Sequence, residues 1–177
     1  MSSSLCNIHP KAQIGKDVII ESFVTIAEDV IIGDGTWIGP NVVIMNGARI
    51  GKNCQLFPGA VIAGIPQDLK FNGEITTAEI GDNTSVREFC TVNRGTAARG
   101  KTIIGSNCLL QSYSHVAHDC HLKDHVILGS FAGLAGEVEA DDWAIISPYT
   151  AVHQFTKIGK HSFIAGGSLV RKDVPPY

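Results

Sequence analysis

The sequence predicts an all-β fold, a parallel β-helix assembled from hexapeptides, and three observations predict it. Ile, Leu or Val recurs every six residues: of the 28 positions from Ile8 to Val170 in that step, only Asp68, Glu74, Ala98 and Ala140 depart. The positions two residues earlier, from Cys6 to Val174, hold Ala, Cys, Ser, Thr or Val, except at Pro66 and Asn72. The residues between are rich in Gly, Asp, Asn and Lys, the chemistry of turns. Two positions offset by two share a face only on an extended chain. Each hexapeptide therefore reads as a short strand with one large and one small residue inward, followed by a turn. A helix fails because six is not a multiple of 3.6.

Taken in order, the hexapeptides run unbroken from Cys6 to Ile62, resume at Ile80 to Val92, and continue from Ile104 to Val170. Gly15, Gly33, Gly39, Gly51, Gly81, Gly105 and Gly159 directly follow the large aliphatic, where a sharp bend is expected. Two stretches leave the pattern and are expected to project as loops, near 64–78 and 95–101. The first carries Asp68 and Glu74 at core positions, and the second is short and basic around Arg99 and Lys101. Loops on a rigid scaffold are common places for binding residues. The expected organisation is one β-helix domain over residues 1–177.

The five cysteines, at 6, 54, 90, 108 and 120, all fall on the small inward phase, so they read as buried thiols. A net charge of −3 leaves no excess of cations for general nucleic-acid binding. The opening Met-Ser-Ser-Ser-Leu-Cys-Asn-Ile-His-Pro has no basic or long apolar region, so a cytoplasmic location is expected.

None of the seven histidines lies on an inward phase. His9, His125 and His161 read as ordinary surface residues. His118 follows Val116, Gly136 follows Leu134, and His153 follows Val152. With the eighteen-residue coil of the hexapeptide acyltransferases, which this pattern resembles, these three share one corner on successive coils. An outward imidazole is a general base near neutral pH, and a backbone amide beside it is an oxyanion donor.

The hexapeptide pattern resembles the left-handed parallel β-helix of the hexapeptide acyltransferases, and that resemblance supplies the hand and the eighteen-residue coil. More specific are Gln67-Asp68-Leu69-Lys70, Thr91-Val92-Asn93-Arg94-Gly95-Thr96, His115-Val116-Ala117-His118-Asp119-Cys120, Leu134-Ala135-Gly136, Ala151-Val152-His153-Gln154-Phe155 and Asp173-Val174-Pro175-Pro176-Tyr177. Together they resemble the UDP-N-acetylglucosamine acyltransferase family, which carries out the first step of lipid A synthesis. The resemblance implies transfer of a 3-hydroxyacyl chain from acyl carrier protein to the glucosamine 3-hydroxyl of UDP-N-acetylglucosamine, without cofactor, metal or covalent intermediate. It implies His118 as general base, Asp119 as its partner and the Gly136 N–H as oxyanion donor. Asp68, Lys70, His115, His153 and Gln154 match contacts to nucleotide sugar and acyl chain, and Gly166 matches the position that limits acyl length. Gly166 is expected to end a groove running along the prism from Gly136. The family implies a homotrimer with sites between subunits. Many relatives have His where this chain has Glu137 and Asn93, polar residues that still suit substrate contact. The chain stops at Tyr177, where the family continues into a C-terminal helical domain.

Two other readings compete. One is a histidine–metal β-helix enzyme of carbonic anhydrase type, suggested by His115, His118, His121 and His125. On a triangular prism, however, His115 and His121 face different sides. The other is a catalytically inactive short β-helix, which leaves His118 and the 64–78 loop without a role.

Overall fold

Each hexapeptide forms one strand of two to four residues and one turn, and the strands stack in register. The computed structural model describes residues 5–177; the first four residues, part of the opening stretch read above, lie outside the described residues. Every strand pairing is parallel, and the strands form three sheets of nine, eight and eight strands. The first face includes Val61–Gly64, Thr91–Asn93, His115–Val116, Gly133–Leu134 and Ala151–Val152. The second includes Thr77–Ile80, Lys101–Ile104, His121–Leu122 and Glu139–Ala140. The third includes Ser85–Val86, Leu109–Leu110, Ile127–Leu128 and Ile145–Ile146. Consecutive strands belong to consecutive faces, so the chain winds around a triangular prism.

The interior is filled by the two phases read from the sequence. Ile26, Ile44, Leu110, Val116, Leu128, Leu134 and Ile146 are buried at the large position, and Val24, Val42, Cys90, Cys108, Cys120, Ala132 and Ala144 at the small one. Cys54, Cys90, Cys108 and Cys120 are buried free thiols and Cys6 is partly buried. Burial pushes the Cys108 thiol up to about 11 and the Cys120 thiol up to about 12.

The glycines that follow the large aliphatic do a different job from the expected bend. The left-handed backbone falls two residues later, at Asn53, Asn83, Asn107 and His161, with φ of 52°, 56°, 57° and 58°. The glycines allow close approach instead. A Cβ on Gly33 would lie 2.6 Å from the carbonyl carbon of Gly51, and one on Gly81 would lie 2.6 Å from that of Gly105. All but Gly39, which follows the third face, line the edge between the second and third faces, where successive coils meet backbone to backbone.

The two excursions span 65–76 and 94–100: the first lies inside the expected 64–78 because Gly64 and Thr77 belong to strands, and the second is shifted one residue toward the N-terminus of the expected 95–101 because Lys101 belongs to a strand. Ile62 pairs with Val92 and Val92 with Val116, separations of 30 and 24 residues where Val116 to Leu134 is 18. The insertions thus add twelve and six residues, whole multiples of the repeat, and the inward phase survives both. Both leave the prism at its edge between the first and second faces, on consecutive coils.

Candidate active site

That same edge carries the turns 117–120, 135–138 and 153–156, on the three coils after the excursions. His118 and Gly136 occupy equivalent positions on adjacent coils, with strands registered at Val116 and Leu134. The His118 imidazole lies against Gly136 so closely that a Cβ there would sit 2.5 Å from Cε1 and 2.7 Å from Nε2. Glu137 N–H donates to the His118 carbonyl at 3.0 Å and Phe155 N–H to the Gly136 carbonyl at 3.1 Å, which tie the three turns together. Among the described residues nothing accepts a hydrogen bond from the Gly136 N–H. On the edge between the second and third faces, by contrast, the corresponding amides of Lys16, Lys52, Ser106 and Asp124 are capped by carboxylates of Asp34, Asp82, Asp124 and Asp142.

His118 Nδ1 lies 2.9 Å from Asp119 Oδ2. The Asp119 carboxylate is fully buried. It accepts hydrogen bonds from the Thr96 amide at 3.0 and 3.1 Å, the Thr96 hydroxyl at 2.6 Å and the Arg99 amide at 3.2 Å. Burial pushes its pKa upward, but the Thr96 hydroxyl, His118 and the Thr96 amide outweigh it and hold the carboxyl below its ordinary value. An ionised carboxylate only accepts, so in the neutral ring Nδ1 carries the proton and Nε2 presents its lone pair to the outside. Asp68, from the 65–76 loop, places Oδ2 4.0 Å from that Nε2.

A cleft of ≈ 560 Å³ opens there, lined by Gln67, Asp68, Lys70, Gly136, Glu137 and Gln154 around His118. Leu69 and Phe155 add apolar walls. The structure thus brings together His118, Asp119, Gly136, Asp68, Lys70, Glu137 and Gln154. His115 lies on the first face, half-buried, with Nδ1 2.7 Å from the Thr91 hydroxyl. Burial and then repulsion from His118 lower its pKa.

The geometry refines the place of two expected site residues and corrects one expected groove. Gln154, eighteen residues after Gly136, takes the third place in line with His118, while the His153 ring is exposed and contacts the Gln154 carbonyl at 3.2 Å. Gly166 follows Phe163–Ile164 of the third face, so it lies on the edge between the third and first faces and ends no groove descending from Gly136 in the same chain. Glu137 lines the cleft while also pairing with the second excursion: its carboxylate lies 3.5 Å from Arg99 Nε, and Arg99 also reaches Glu139 at 2.8 Å.

Thr96, Arg99 and Phe155 were missed as site residues. Thr96 falls on the small inward phase and reads as core filling, and Thr102, whose hydroxyl accepts from the Asp119 N–H at 2.8 Å, is hidden in the same way. The histidines of the metal reading do not converge within the chain: His121 lies on the second face, and His125 stacks on Trp143 at 3.9 Å on a third edge. Among the described residues no group of three His, Cys, Asp or Glu is placed to hold a metal ion.

Comparison with known proteins agrees with this geometry. The bacterial transferase hexapeptide (six repeats) family matches residues 29–64 and 101–136. The acyl-(acyl-carrier-protein)–UDP-N-acetylglucosamine O-acyltransferase of Xylella fastidiosa is 48% identical over 119 residues, covering 67% of this chain and 45% of the relative. That of Aliarcobacter butzleri is 50% identical over the same length, covering 46% of the relative. The chain therefore spans about half the length of the curated relatives it matches. The crystal structure of a UDP-N-acetylglucosamine acyltransferase from Bacteroides fragilis superposes with a TM-score of 0.96 at 49% identity, over 99% of this chain and 69% of that one. The enzyme from Francisella novicida gives a TM-score of 0.98 at 42% identity, over 100% and 65%. The prism is accordingly a left-handed parallel β-helix, and the chain belongs to the UDP-N-acetylglucosamine acyltransferase family.

Proposed function

We propose that this chain is an O-acyltransferase that moves a 3-hydroxyacyl group from acyl carrier protein to the glucosamine 3-hydroxyl of UDP-N-acetylglucosamine, the first step of lipid A biosynthesis. The observation that carries the proposal is the pairing of His118, polarised by the buried Asp119, with the open amide of Gly136 on the adjacent coil. Nε2 of His118 takes the proton of the sugar hydroxyl as its oxygen attacks the thioester carbonyl. The new C–O bond leaves a tetrahedral oxyanion, which accepts from the Gly136 N–H. Collapse breaks the C–S bond, and the carrier thiolate takes the proton back from Nε2. Asp119 stabilises the imidazolium between the two proton transfers. Asp68, Lys70 and Gln154 line the cleft where the polar sugar and diphosphate would lie, and His115 and His153 are proposed as further substrate contacts.

A homotrimer with clefts between subunits fits two features. The His118 cleft opens outward, and the edge that holds Gly166 also carries a ladder of half-exposed rings, Phe89, Tyr113, Phe131 and Tyr149, stacked at 4.9–5.1 Å. In such an assembly Gly166 would border the acyl groove from a neighbouring copy. Among the described residues no helix is long and apolar enough to cross a membrane, and a cytoplasmic enzyme meets both substrates.

The test is acyl transfer from 3-hydroxyacyl carrier protein to UDP-N-acetylglucosamine by the wild type and by His118→Ala. The wild type should transfer, and the variant should lose about 10²–10⁴-fold while keeping its melting temperature. A variant that retains more than about a tenth of the rate removes His118 from the role of base.

A further inference from the structure

The excursion 94–100 is short, yet most of its polar groups converge on one carboxylate. The Thr96 amide and hydroxyl and the Arg99 amide all donate to Asp119. The Ala98 amide donates to the Thr96 hydroxyl oxygen at 3.2 Å, which orients its proton toward Asp119 Oδ2. Thr96 is itself buried, and the side chain of Arg99 pins the strap by pairing with Glu139 and Glu137 on a later coil. The Thr96 hydroxyl bonds the same oxygen, Oδ2, that meets His118 Nδ1.

Resting on the acyl-transfer reading above, we infer that Thr96 is a positioning residue for the reaction: its hydroxyl locks Asp119 onto His118 Nδ1, and so aims Nε2 at the sugar hydroxyl. Without that donor, Oδ2 has one fixed partner fewer, and the carboxylate is free to rotate between His118 and the amides of Thr96 and Arg99. The imidazole then loses its preference for the tautomer in which Nε2 is the base. Binding of either substrate is expected to change little, because the Thr96 side chain is buried and its hydroxyl is engaged by Asp119.

The experiment combines steady-state kinetics with ¹⁵N NMR of the His118 ring in the unliganded protein, for wild type, Thr96→Val and Thr96→Ser. Valine keeps the shape and removes the donor, whereas serine keeps the donor. Thr96→Val should lower kcat by about 10- to 100-fold, the range of one hydrogen bond to a charged group, with KM unchanged. Neutral His118 should be the Nδ1–H tautomer in wild type and Thr96→Ser, and a mixture in Thr96→Val. Loss confined to KM, or a fall in kcat with His118 signals unchanged, overturns the role of Thr96. If Thr96→Val does not fold, the wild-type tautomer decides, since an Nε2–H ring there overturns it as well. The NMR needs no turnover, so a wild type without transfer activity would sink the proposed reaction and leave the Thr96 result readable.

Discussion

Gly136→Ala separates the two tasks assigned to this position, because alanine keeps the backbone N–H and adds one methyl group. That methyl would sit 2.5 Å from His118 Cε1, against an ordinary contact of at least 3.4 Å, so the imidazole must retreat by about 1 Å. Backbone geometry offers no other source of damage, since Gly136 is absent from the positive-φ residues. The retreat is opposed by the 2.9 Å bond from Nδ1 to Asp119, which is buried and held by four other hydrogen bonds. The ring therefore turns about that bond and carries Nε2 away from the attacking oxygen. A displacement of about 1 Å in a reacting group costs about 10²-fold. The assay is kcat and melting temperature side by side: kcat should fall about 10²-fold and the melting temperature should stay within about 2 °C. Retention of more than half of kcat would refute the close packing of His118 on Gly136 as the catalytic arrangement. Loss of stability in proportion to activity would show that Gly136 serves the coil and not the chemistry.

Thiol accessibility should follow burial: in the native protein a small alkylating reagent should modify Cys6 first and leave Cys108 and Cys120 intact until unfolding, because burial raises both thiols far above neutral pH. Rapid labelling of Cys120 by mass spectrometry would contradict its place in the core. Asp119 links stability to pH with a definite sign. Its folded pKa is depressed, so its contribution is full above the ordinary carboxylate range near pH 4 and fades as pH falls through the lower folded value. Asp119→Asn should therefore show a shallower loss of urea midpoint below about pH 4, and parallel curves for the two proteins would rule the linkage out. Gly166→Met should shorten the preferred acyl chain by several methylenes, at about 0.8 kcal/mol for each CH₂ left unburied. An equal loss of kcat/KM across a ladder of chain lengths would make Gly166 a turn glycine only.

The fold was legible because the prism admits only two inward positions per hexapeptide, and a six-residue period marks both along almost the whole chain. Even Ala140, an exception in the large phase, is buried on its strand. The hand was not legible from the pattern, since inward phases look the same for either winding. His118 and Gly136 were legible from their spacing of one coil. Thr96 was not, because a small polar residue facing inward satisfies the packing rule whether it fills space or holds a carboxylate. The excursion that carries it removes it from the core stack while leaving it in phase. Gly166 shows the complementary error: adjacency of coils was read correctly, but an offset of thirty residues from Gly136 is not a whole number of coils, and it moves a residue to another edge.

The most direct measurement is a crystal structure of the protein soaked with the acylated product, UDP-3-O-(3-hydroxyacyl)-N-acetylglucosamine. The ester oxygen on C3 should lie about 2.6–3.2 Å from His118 Nε2 and the acyl carbonyl oxygen about 2.7–3.1 Å from the Gly136 N–H. The sugar diphosphate should lie beneath the 65–76 loop. Product seated instead on the second face, in the cleft bordered by Lys123 and Lys157, would contradict the assignment of this edge as the site of transfer.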